Sequence, residues 1–126
     1  MIRKLSGALA TVALMLCASL LYAHHGLAEF DTTHTVKMYG KATRVEWINP
    51  HAFIYADMVD DTGKVQNWKL ELGSLGMLTK YGHWTKDTVK RGDKITVQGF
   101  KAKDGTAYFS VGRIWLRNGQ SLEGKP

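Results

Sequence analysis

Between residues 36 and 117 several runs of the sequence are strand-like, the clearest alternating apolar and polar residues with period two, and turn signals and one short helical stretch separate them. Period two sends successive side chains to opposite faces, so such runs build half-buried β-strands. The clearest is 51–59, where Ala52, Ile54, Ala56 and Met58 share one face and His51, Phe53, Tyr55 and Asp57 the other. Asp60-Asp61-Thr62-Gly63 then carries a hairpin signature, and 64–72 alternates again with Gln66, Trp68, Leu70 and Leu72 on one face. Upstream, 36–47 is rich in β-branched and aromatic residues and contains Gly40, which inside a strand marks a bulge or sharp bend. Asn49-Pro50 marks a turn after it. Ser74 is a suitable N-cap for a short helix through Leu75, Met77, Leu78 and Tyr81, stopped by Gly82. Two more strands follow at 94–103 and 106–117, joined by the hairpin dipeptide Asp104-Gly105.

The predicted order is three strands, a short helix and two strands. A long, glycine-bent first strand with a helix between the third and fourth describes an all-β fold with one short helix, the five-stranded OB-like Greek-key barrel. Closure also spares a small sheet its exposed edges. The barrel is expected over residues 36–118, after an extended arm at 24–35 anchored by Leu27 and Phe30 and before a loose polar tail at 119–126. Trp68 and Trp115 are expected in the core, with Trp47 partly exposed.

Residues 1–23 read as a secretory signal peptide, with Arg3-Lys4, an apolar run from Ala8 to Leu21, and Ala23 as the last residue before the cut. The rival, an uncleaved anchor, is disfavoured because the run falls short of the roughly 17–25 residues of a membrane span. Cys17 follows Leu16 rather than a small residue, so it does not read as a lipid attachment site. It is the only Cys, and its removal with the leader leaves no disulfide and no thiolate ligand or nucleophile. The expected product is a periplasmic or secreted protein, monomeric or weakly associating, with no stable membrane insertion after cleavage. Losing Arg3 and Lys4 lowers the formal charge from +6 to +4. The remaining charges are spread along the chain, so no nucleic-acid partner is expected.

No catalytic residues are assigned. Ser74, Ser110 and Ser121 lie in no nucleophile elbow, and there is no phosphate-cradling glycine loop. Glu46, Asp57 and Glu71 could face one another across strands, but carboxylates on a small barrel are ordinarily solvated or salt-bridged. The histidines are more suggestive. All five, His24, His25, His34, His51 and His83, follow the leader. Cleavage after Ala23 would make His24 the first residue, whose amine and ring can chelate one ion, and cleavage before Ala23 would put His25 third. Either terminus supplies a nitrogen-rich set suited to Cu(II) or Ni(II). His51, at a strand entrance, is the best partner in a copper-binding set of His24, His25 and His51; its competing role is a loop-fixing hydrogen bond. His34 could reach the same end, and His83 is expected to be exposed or stacked on Trp84. Among the methionines, Met58 and Met77 read as packing residues, while an exposed Met38 could serve Cu(I) but makes no motif alone. The rival function is a small-molecule or protein partner bound by an aromatic barrel face of Trp47, Phe53, Tyr55 and Trp84.

Several segments carry a resemblance: His24-His25; the run 40–51 that ends Trp47-Ile48-Asn49-Pro50-His51; Asn67-Trp68 through Glu71; Gly82-His83-Trp84; and 91–99, which opens Arg91-Gly92-Asp93. Together they resemble a family of small exported bacterial proteins of unknown function. The likeness spans nearly the whole mature chain, and its most distinctive part is the Trp-x-Asn-Pro-His segment. It implies an exported β-barrel and brings no activity or catalytic residues. His83 departs from the small or basic residue expected between Gly82 and Trp84. A looser, fold-level likeness is to periplasmic OB-fold copper chaperones, which hold Cu(I) through His and Met near a Trp, though their ligand spacing has no residue-by-residue match here.

Overall fold

The computed structural model describes residues 25–126. The leader expected at 1–23, and His24, lie outside the described residues. The elements in chain order are α1 (His25–Ala28), β1 (Val36–Glu46), β2 (Phe53–Val59), β3 (Val65–Glu71), α2 (Leu75–Lys80), β4 (Lys94–Lys101), β5 (Tyr108–Leu116) and β6 (Ser121–Glu123).

Antiparallel pairing runs β3-β2-β1-β4-β5, and a parallel pairing of Lys69–Glu71 with Tyr108–Ser110 joins β3 to β5 and closes the ring. This is the expected five-stranded OB-like barrel. The alternation read in 51–59 is fully realised: Ala52, Ile54, Ala56 and Met58 are each 0 % exposed. Strand β1 pairs with β4 through its first half and with β2 through its second, and the two pairings overlap at Tyr39, Gly40 and Lys41. At Gly40 a Cβ would run into the Asp57 carbonyl, so only glycine admits this close crossing. The bulge itself falls slightly later, at the register shift between Ala42 and Arg44. Trp68 meets Phe109 edge-on, with centroids 6.2 Å apart, in the middle of the core.

Both ends differ from expectation. The arm is not extended throughout, because residues 25–28 form one helical turn. Its anchor is Phe30, which is buried, bridges Ala102 and packs on Tyr108 with ring centroids 4.9 Å apart. Leu27 is exposed instead. The supposed tail 119–126 contains β6, which pairs with β5 and buries Leu122. Gly124 continues the attachment: its amide donates to Gly112 O, and its carbonyl accepts from Gly73 N. A three-residue strand is too short to register as a period.

Two tryptophans exchange their expected places. Trp84 is buried, and its Nε1 donates to Glu123 O at 2.9 Å; it is held by the segment read as a tail. Trp115 is half-buried on the outer face, opposite Thr96, while its neighbour Ile114 points inward. Trp47 is half-buried, as expected. Met38 is fully buried and Met77 is exposed, the reverse of their expected placement.

Candidate functional site

The loop 47–52 between β1 and β2 is clamped onto the chain between β3 and α2. Asn49 Oδ1 accepts from the Leu75 amide at 3.1 Å, and Ala52 exchanges backbone bonds with Leu72 and Gly73. This clamp sets His51 beside the end of β3. Its Nδ1 lies 3.1 Å from Leu72 O. A carbonyl oxygen only accepts, so Nδ1 carries the proton and the neutral ring keeps its lone pair on Nε2. The side chain is 40 % exposed, and the loop-fixing bond uses only one of its two ring nitrogens.

Next to His51 sits Glu71, whose Oε1 is 3.8 Å from Nδ1. Its side chain is only 6 % exposed. Burial of a carboxylate is costly without partners, and here two are present. Lys125 Nζ donates to Oε1 at 2.6 Å, and the Tyr108 hydroxyl donates to Oε2. Tyr108 in turn carries the Phe30 ring, and the Lys125 ammonium stands 5.5 Å from the Phe30 centroid. The arm, the C-terminal segment and the strand ends therefore converge on one carboxylate. Sequence reasoning singled out Glu71 only as one of three facing carboxylates and missed Tyr108 and Lys125. The available signal was a lone acid inside the apolar run Leu70-Glu71-Leu72.

His34 stands apart from this cluster. In the turn before β1 its side chain is 79 % exposed, and Nδ1 is 2.9 Å from both Asp31 Oδ2 and Thr33 Oγ1. Bonds from Thr33 and His34 hold the Asp31 carboxyl down at about 2. His34 does not join His51: among the described residues no three His, Cys, Asp or Glu side chains gather to hold a metal. His83 is exposed with φ 59°, a left-handed conformation that His tolerates better than most residues.

Of the aromatic set, Trp47, Phe53 and Tyr55 are half-buried. Trp84 is removed from any surface by its burial. The two β2 rings are covered by cations: Arg44 lies 4.0 Å over Tyr55 and is held by Glu46 at 2.6 Å, and Lys69 lies 4.1 Å over Phe53.

Ring closure through β3 and β5, the helix between β3 and β4, and a polar cluster at one mouth define a small OB-type barrel module. Residues 12–110 match a family of unknown function, DUF6152, and the chain belongs to that family. No curated protein gives a significant match.

Proposed function

We propose that the protein is an exported, non-enzymatic metal-binding module in which His51 Nε2 joins His24 and His25, at the start of the processed chain, around a Cu(II) ion. The observation that carries it is the Nδ1 bond to Leu72 O. Proteins characteristically orient a ligating imidazole in this way, by tying its other nitrogen to a carbonyl or carboxylate. The anchoring of the arm adds support. Phe30, five residues after His25, is fixed on Tyr108, which bonds the same Glu71 that faces His51. Residues 25–28 coil into one turn directly before this anchor, so the histidines at the start of the processed chain are tethered a few residues from Phe30. Imidazoles and an amine favour Cu(II) or Ni(II).

Cu(II) titration of protein beginning at His24 tests this, beside His51→Ala and a chain with an acetylated amine. One tight equivalent is expected, weakened at least about tenfold by either change. Weak binding that is alike in all three would refute it. Mass spectrometry of the exported protein's first residue tests the cleavage on which the site depends. A partner-binding role for Trp47, Phe53 and Tyr55 stands second, supported by their half-exposed rings on β2 and the loop before it. Absence of any tryptophan fluorescence response to a panel of saccharides and peptides would count against it.

A further inference from the structure

The outer surface of β1, β4 and β5 gathers charges that lie far apart in sequence. Outward positions on β1 are Lys37, Tyr39 and Lys41; on β4 they are Lys94, Thr96 and Gln98. On β5, Arg113 stands opposite Gln98 and Trp115 opposite Thr96. Arg117 lies one step beyond the Ile95–Leu116 pair and lines the same concavities as Lys94. Five exposed cations thus gather on three adjacent strands and the first residue after β5, on a patch of about 10 Å by 14 Å by strand spacing and rise. Tyr39, 62 % exposed, and Trp115 occupy its middle.

Carboxylates stand only at the borders. Asp57 flanks Lys41 from β2, Glu123 is 3.6 Å from Arg113 on β6, and Asp93, in the turn before β4, accepts from the Lys90 amide. Among the described residues Lys37, Lys41, Lys94 and Arg117 form no salt bridge. The Lys37 ammonium rests 4.4 Å over Trp115. The two concavities beside Lys94 are shallow, about 260 and 190 Å³. Both are smaller than the roughly 300–1,000 Å³ typical of small-molecule pockets. An extended anionic surface therefore fits this face better than a single small anion. The central Tyr and Trp, apolar bodies with polar tips, are the side chains that settle at a lipid headgroup boundary.

We propose that this face docks the protein peripherally on an anionic phospholipid surface. Among the described residues no helix is long and apolar enough to cross a membrane. Each Lys or Arg brought to such a surface strengthens partitioning about fivefold.

The test is co-sedimentation of the full mature chain with vesicles of about 30 % phosphatidylglycerol in phosphatidylcholine, with EDTA present so that the histidine site plays no part. Binding is expected to the anionic vesicles and not to pure phosphatidylcholine, and to weaken as salt rises toward about 0.5 M. Lys94→Glu with Arg117→Glu should lower partitioning at least about 25-fold, whereas Lys64→Glu with Lys86→Glu, an equal charge change elsewhere, should lower it less than about fivefold. Tyr39→Ser should weaken binding several-fold at unchanged charge. Circular dichroism checks that each variant is folded. Equal losses in the two double variants, no vesicle binding, or tighter binding to polyglutamate or single-stranded DNA than to vesicles would overturn the proposal.

Discussion

The barrel mouth around Glu71 and the outer face of β1, β4 and β5 hold the same kinds of cation in opposite circumstances. At the mouth, Lys125 is spent on a buried carboxylate that also takes the Tyr108 hydroxyl, and His51 spends one nitrogen on a carbonyl. On the outer face, four of five cations form no salt bridge among the described residues. Charge answered inside the protein fixes geometry: it ties the arm, the strand ends and the C-terminal segment into one unit and aims His51. Charge left to solvent contributes little to the fold and remains available for recognition.

Substitutions should separate the two regions by size of effect. Glu71→Ala removes the shared acceptor and strands Lys125 and Tyr108, so a loss of about 3–5 kcal/mol is expected in denaturant unfolding. A loss under about 1 kcal/mol would mean that the mouth is not the structural node described. Trp84→Phe, which keeps most of the ring but removes the bond to Glu123 O, should cost about 1–3 kcal/mol and loosen β6, visible as faster amide exchange of residues 121–124. By contrast Lys94→Glu with Arg117→Glu should change stability by no more than about 0.5 kcal/mol per site. A larger loss would show that the outer face is part of the fold's support after all. The smallest effect belongs to the Asp31 turn. Its carboxyl is lowered from 3.8 to about 2 by bonds from Thr33 and His34, so those bonds favour the turn above the ordinary carboxylate range and are lost as pH falls through about 2. An NMR titration of Asp31 should therefore find its midpoint near 2, and a midpoint near 4 would mean that the turn does not hold its carboxylate.

Strands β1–β5 and helix α2 were legible because each is a local pattern: alternation, a Ser74 cap whose hydroxyl accepts from Met77 N, and glycine-bearing turns. What was not legible is non-local. β6 is too short to show a period, and without it Trp84 had no visible acceptor; Trp115 turns outward because the β4–β5 register shifts at Gly112, opposite Gln98 and Gly99, which breaks the alternation read along β5. Glu71 looked like one of several strand carboxylates because its partner Lys125 lies in the segment read as a tail. Lys41, Lys94 and Arg117 looked dispersed because only the long-range pairing of β1 with β4 sets Lys41 beside Lys94 and the end of β5. At the candidate site His51 was legible from the turn before it, whereas the nitrogen it keeps free followed from the Leu72 carbonyl alone.

The most direct measurement of the central claim is pulsed electron paramagnetic resonance on protein beginning at His24 and loaded with one equivalent of Cu(II), compared with His51→Ala. Loss of one coordinated imidazole from the nitrogen modulation of the variant is the predicted result. Identical spectra from the two proteins would contradict it and leave His51 as a residue that only fixes its loop.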